Sequence, residues 1–175
     1  MEYHTIKPYY NKDSKVLILG SFPSHKSREE GFYYAHPQNR FWKILSHIYN
    51  EEITDKKAFL KKHHLALFDV CASCEIIGSS DASIKEVVPN DISKILKESK
   101  ITHIILNGKT ATNLYNKFMK NIPIKVISLP STSPANAAFS LEALINEYKI
   151  IKNFTDWLSS IKKTRKIFQS GKLTL

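Results

Sequence analysis

Lys15–Gly20 reads KVLILG, a lysine, four consecutive apolar residues and a closing glycine. The run is continuous rather than alternating, the pattern of a strand buried on both faces. Three more runs have the same character: LALFDV (Leu65–Val70), THIILN (Thr102–Asn107) and IKVISL (Ile124–Leu129). Between them the period changes. NRFWKILSHIY places Phe41, Ile44, Leu45 and Ile48 on one helical face. NDISKILKES opens on an Asn or Asp cap, KTATNLYNKFM comes directly after the third run, and a final helix is expected from near Ser140 to Ile161. This alternation predicts an α/β fold, a three-layer sandwich whose mainly parallel four-stranded central sheet is flanked by helices. One domain is expected over residues 1–161, with a basic tail, KKTRKIFQSGKLTL, at 162–175.

The 175 residues carry 26 Lys and Arg against 16 Asp and Glu, a formal net charge of +10. Such an excess points to a polyanion such as nucleic acid, although a Lys-rich chain can also be simply soluble. No apolar run approaches the roughly 18 residues that span a bilayer, and MEYHTIKPYY lacks a signal core. A cytoplasmic, nucleoid-associated place in a prokaryotic cell is expected, with no membrane partner. Cys71 and Cys74 form one C-x-x-C with no second pair, so structural thiols are expected rather than a metal or iron–sulfur site. His63 and His64 lie in a Lys-rich connector and read as solvated surface.

In parallel sheets ligands bind outside the carboxyl ends of the strands. The segments at those ends are therefore informative: GSFPSHKSREEGFYYAHPQN, CASCEIIGSS, NGKTA and PSTSPANAAF. All four polar segments converge on one rim. The first is too long for a routine connection and is expected to build the pocket. Phe22, Tyr33 and Tyr34 offer ring faces for a planar heterocycle, while Phe41 and Trp42 read as helix core. His36, held extended by Pro37, suits acid–base work or a loop anchor, and Asn39 suits a helix cap. Asp69, Ser73 and Asn107 lie at or just past the ends of the second and third strands and add polar groups to the same rim, candidates for binding the planar ligand. Ser21, Ser24, Ser131, Thr132, Ser133, Asn136 and Lys109 are candidates for phosphate contact through hydroxyl, amide, ammonium or turn N–H groups. There is no Walker motif, no G-x-G-x-x-G, no Ser-His-Asp order and no metal-ligand cluster.

Three segments taken in order, GSFPS (Gly20–Ser24), YYAHPQNRFWKIL (Tyr33–Leu45) and LPSTSPANA (Leu129–Ala137), closely resemble the uracil-DNA glycosylase superfamily. The DNA-deoxyinosine (hypoxanthine) glycosylase branch is the nearest, and AHPQNRFWK is also similar to mismatch-specific uracil/thymine glycosylases. The resemblance covers Lys15 to Trp157. It implies a monofunctional, cofactor-free and metal-free hydrolase that flips a deaminated base, hypoxanthine first and uracil or xanthine after it, out of DNA. The expected partner is damaged duplex DNA, with single strands as a second form, and the expected state of the protein is a monomer. Two positions depart from the family pattern. Phe22 occupies the slot where many members carry a water-orienting Asp or Asn, and Leu129 stands where several carry His. In the deoxyinosine branch the Asn of the H-P-x-N element orients the water, a role that the resemblance carries to Asn39, with His36 as the second catalytic candidate. The resemblance also places a base-reading side chain at Asp69, which could instead cap the next turn. Two competing readings are a mismatch-specific uracil glycosylase and a non-catalytic nucleic-acid-binding module on the same fold.

Overall fold

The computed structural model describes residues 1–156. In chain order its strands are β1 (Glu2–Tyr3), β2 (Val16–Gly20), β3 (Leu65–Asp69), β4 (Cys71–Glu75), β5 (Lys85–Pro89), β6 (His103–Asn107) and β7 (Lys125–Leu129). Its helices are α1 (His25–Glu30), α2 (Phe41–Tyr49), α3 (Lys56–Lys62), α4 (Ser93–Glu98), α5 (Lys109–Phe118), α6 (Leu141–Tyr148) and α7 (Ile150–Thr155). The four apolar runs form one parallel sheet in the order β3-β2-β6-β7. Register is continuous, with Ile18 opposite both Leu67 and Ile105, and Ile105 opposite Ile127. Every residue of β2 and β3 is buried, as their unbroken apolar character requires, whereas the edge strand β7 is half open.

The α2 stripe of Phe41, Ile44, Leu45 and Ile48 is buried and packs on α6, whose Leu144, Ile145 and Tyr148 are also buried. Asn50 ends α2 in the left-handed conformation, φ 51°, with its N–H on the carbonyls of Ser46 and His47. Together with α5 against β6 and β7, and α3 against β3, this gives the flanked four-stranded sheet expected from the sequence.

Four features differ from expectation. CASCE is a strand, not a loop: β1, β4 and β5 form a separate antiparallel sheet in the order β1-β4-β5, with Tyr3 opposite Ser73 and Ser73 opposite Val88. Small residues and two register shifts hide that strand from pattern reading. Lys56–Lys62 is a helix, capped by Asp55, whose Oδ1 accepts from the N–H groups of Lys57 and Ala58. His63 is not solvated surface, because its ring lies 3.9 Å from that of Tyr49 and its Nε2 is 2.9 Å from Glu51 Oε2. The last helix is interrupted at Lys149, between α6 and α7; its expected end at Ile161 and the tail 162–175 lie outside the described residues.

Candidate active site

The centre of the rim is a close approach of backbone and carboxylate. β2 and β3 run in register, so Gly20 lies opposite Asp69 at their carboxyl ends. A Cβ at Gly20 would collide with Asp69 Oδ1 and would lie 3.5 Å from the Tyr34 hydroxyl, so the strand must end in glycine. Asp69 is held from behind by His4, whose Nε2 donates to Asp69 Oδ2 at 2.8 Å; the two side chains are only 4% and 3% exposed. Phe22, Tyr33 and Phe68 surround the His4 ring at centroid distances of 6.0, 6.1 and 5.1 Å. Oδ1 of Asp69 carries no hydrogen bond from a described residue, so the pair leaves one acceptor on the rim side.

Tyr34 sits with φ at 54°, a left-handed conformation costly for an aromatic residue. Stacking on Phe41, centroid to centroid 3.9 Å at 22°, holds it there and covers one ring face. Its hydroxyl is buried without a hydrogen-bond partner. Burial first, and the charge of Asp69 second, push that hydroxyl well above the ordinary phenol range; the nearby Asn107 amide opposes the rise without reaching hydrogen-bond geometry.

A second carboxylate faces the same space. Ser21 donates to Asp81 Oδ1 at 2.8 Å, and Asp81 belongs to the short 3-10 turn Asp81–Ser83. Burial raises its carboxyl above the usual range, the Ser21 hydrogen bond pulls it back, and the Asp69 charge raises it again. Behind this pair the thiols of Cys71 and Cys74 are free and buried, with Cys71 pushed upward chiefly by burial. Such thiols are inert packing groups, in keeping with the structural role expected for the C-x-x-C.

The fourth loop is locked twice. Asn107 donates from Nδ2 to Thr132 Oγ1 and accepts from Thr132 N–H, each at 3.0 Å. At Gly108, φ is 101° and a Cβ would come within 2.8 Å of Ser131 Cβ, so only glycine allows the loop to lie this close. The larger clasp is Arg40. Its guanidinium donates to the carbonyls of Ser133 (2.6 Å), Asn136 (2.9 Å), Thr132 (3.4 Å) and Phe139, and its own N–H also reaches Thr132 O. The H-P-Q-N-R segment and the S-T-S-P-A-N segment are therefore one rigid unit.

These groups line a cavity of about 760 Å³ at the carboxyl ends of the strands. Phe22, Tyr33, Tyr34, Asn39, Asp69, Asn107, Ser21, Ser24, Lys109, Ser131, Thr132, Ser133 and Asn136 all line it. Several have structural duties as well. Tyr33 is buried, with its hydroxyl on Lys7 O at 3.1 Å; Ser24 caps α1; and Asn136 Nδ2 donates to Ser131 O. Asn39 Oδ1 accepts from Phe41 N–H at 3.0 Å, a turn at the head of α2. Two expected residues are not among the lining. His36 Nδ1 accepts from Gln38 N–H within its own turn, and Ser73 is buried in the middle strand of the small sheet. His4, Arg40 and Asp81 were missed. His4 depends on pairing residues 2–3 with 73–74, which leaves no local signal. The carboxylate in SSDAS at least lies in a polar stretch after the second strand.

A second cavity, about 570 Å³, is lined by Lys15, Lys62 and Lys100 among others; each of the three already reaches a carbonyl or carboxylate. Among the described residues no group of three or more His, Cys, Asp or Glu is placed to hold a metal ion, and no helix is long and apolar enough to cross a membrane.

The family model described as the uracil DNA glycosylase superfamily matches residues 7–158. A protein of Methanosarcina acetivorans named hypoxanthine DNA glycosylase is 34% identical over 137 residues, 74% of this chain and 85% of that protein. A Methanosarcina barkeri protein of the same name is 30% identical over 136 residues, again 74% of this chain and 85% of the relative. A solution NMR structure from Methanosarcina acetivorans, of a protein assigned to the uracil DNA glycosylases, superposes with a TM-score of 0.70 at 28% identity, covering 84% of this chain and 96% of that one.

Proposed function

Because the chain belongs to the uracil DNA glycosylase superfamily, we propose that it excises hypoxanthine from DNA by hydrolysing the bond between the base and the sugar. One observation carries this reading: with Oδ2 of Asp69 braced by His4, its Oδ1 is left as an acceptor beside Tyr34 in the cavity lining. Hypoxanthine presents an N1–H donor where adenine presents a lone pair. An ionised carboxylate only accepts, so it welcomes the first and repels the second. His4 occupies Oδ2, so rotation of Asp69 away from the base would break that hydrogen bond. Two relatives named for hypoxanthine excision support the substrate class.

In the reaction the N9–C1′ bond breaks with its electron pair leaving on the base. The sugar becomes oxocarbenium-like, and water adds at C1′ while its released proton balances the charge of the departing base. Such a cation is captured readily, so water orientation matters more than basicity. Asn39 lines the cavity, and an amide oxygen has a second lone pair after serving Phe41 N–H, so it can hold that water. The carboxylate of Asp69 adds negative charge that favours the cation. The partner is duplex DNA with the damaged base extruded, bound by a monomer through the basic excess and the clasped fourth loop, with single-stranded DNA as a second form. Uracil also offers an N–H donor to Asp69, which makes it the second substrate to test.

Asp69→Asn puts an amide in place of the acceptor pair. Single-turnover release of hypoxanthine should fall by at least about 10²-fold, the scale on which a site built around one hydrogen bond discriminates. Circular dichroism on the same preparation checks the fold. Undiminished release by Asp69→Asn and Asp69→Ala would remove this residue from base reading.

A further inference from the structure

We propose that Asp81 is the general acid of the reaction, its Oδ2 delivering a proton to N7 of the departing purine, an inference that rests on the base-excision reading above. A purine departs more readily as a neutral base than as an anion, so a group that hands it a proton lowers the barrier. Few groups in the cavity can do this. Tyr33 has its hydroxyl on Lys7 O, the Tyr34 phenol is pushed well above its ordinary range, and Asp69 is the acceptor for the base. Lys109 and Glu147 are exposed at the edge. Asp81 remains.

Its placement is built, not incidental. Asp69 lies opposite Gly20, and the next residue, Ser21, holds Asp81, so acceptor and acid reach the cavity from neighbouring positions. Ser21 is buried, with its carbonyl accepting from Cys71 N–H at 3.0 Å, and its hydroxyl donates to Asp81 Oδ1 at 2.8 Å. Ile84 N–H donates to Asp81 O at 3.3 Å and steadies the turn. Oδ2 carries no hydrogen bond from a described residue, which leaves it for the transferable proton. The titratable groups that face Asp81 are Asp69 on β3, Tyr34 in the first loop, and Cys71 and Cys74 on β4, all of them acids. Burial raises its carboxyl, Ser21 pulls it back and Asp69 raises it again, so it keeps its proton to higher pH than an exposed aspartic acid does. As the N9–C1′ bond breaks, its electron pair passes into the purine, N7 takes the Oδ2 proton and hypoxanthine leaves neutral. Water adds at C1′, and the proton it sheds returns to Asp81 and restores the acid.

The test compares single-turnover release from duplexes carrying inosine or 7-deazainosine, which keeps the shape and the N1–H but has carbon in place of N7. Asp81→Asn retains an acceptor for Ser21 and cannot give up a proton. It should slow hypoxanthine release by about 10²–10⁴-fold while binding inosine DNA within about threefold of wild type. Wild type should lose rate as pH rises through the raised Asp81 value, and the variant should lack that fall. On 7-deazainosine wild type should be slower by about 10²-fold or more, and Asp81→Asn should cost nothing further, because the proton transfer is already gone. A merely structural role gives the opposite pattern, the same fractional loss on both duplexes with the pH profile unmoved, and that result would overturn the acid. So would wild-type release of hypoxanthine by Asp81→Asn, or 7-deazahypoxanthine freed by wild type as fast as hypoxanthine. In each of these cases wild type still frees hypoxanthine and the excision reading stands. A wild type that frees no base from either duplex brings down both.

Discussion

Asn39 has two duties that a single substitution separates by degree. Its Oδ1 accepts from Phe41 N–H in a turn just ahead of α2, whose N-cap position is Arg40, and its side chain lines the cavity. Loss of one such hydrogen bond costs about 1 kcal/mol of stability, whereas loss of a positioned catalytic group costs about 10²–10⁴-fold in rate. Asn39→Ala should therefore lower the melting temperature slightly and cut single-turnover release into the latter range, while Asn39→Asp keeps the turn and part of the activity. A folded Asn39→Ala protein that excises at the wild-type rate would reduce the residue to a turn former. Asp81 is tested by pH. Burial, with help from Asp69, raises its carboxyl in the folded state above its unfolded value. The fold thus favours the protonated form, and the stability this contributes is complete below the ordinary Asp range near about 3.9 and is lost as pH rises through the raised value. Asp81→Asn, which keeps an acceptor for Ser21, should melt higher than wild type at pH 7, with the gap closing on acidification. A gap that persists unchanged at low pH would contradict this. The two residues differ in how far sequence reveals them. Asn39 sits in a motif that can be recognised, but the structure gives its oxygen to a turn ahead of the helix rather than to the helix cap expected of it. The coupling of Asp81 to Ser21 and Asp69 exists only once three segments have met.

At the scale of elements, the parallel strands and α2 were legible because their signals are local: continuous apolar runs for β2, β3 and β6, and a 3.6-residue stripe for α2. The small sheet was not. β1 is two residues long and pairs across some seventy positions of sequence with β4, whose small side chains carry no strand signature. His4 was lost with it, and so was the brace on Asp69. The clasp between α2 and the fourth loop was hidden for a related reason, since an arginine before a helix does not announce that it will bind four carbonyls over ninety residues away. Its role can be measured directly. Arg40→Lys keeps the charge but not the fork, leaving carbonyls of the loop without donors. Amide hydrogen exchange should accelerate over residues 131–140 and duplex affinity should fall by about tenfold, with the sheet unaffected. Exchange that remains at wild-type rates in that loop would show the clasp to be dispensable.

Across the whole molecule, the order β3-β2-β6-β7 brings four loops to one end, so that residues as distant as Ser21, Asp69, Asn107 and Thr132 share one cavity on a chain of net charge +10. That geometry suits a planar base drawn from a polyanion, and on the proposed reading the acceptor at Asp69 selects which base. The most direct test is to identify what is released. Duplexes carrying a single inosine, uracil or unmodified adenine are incubated with excess protein, the free base is resolved by chromatography and the abasic strand is cleaved with alkali. The account predicts free hypoxanthine in stoichiometric yield with an alkali-labile strand, and no adenine. Intact inosine strands after prolonged single-turnover incubation, or adenine released as readily as hypoxanthine, would contradict it.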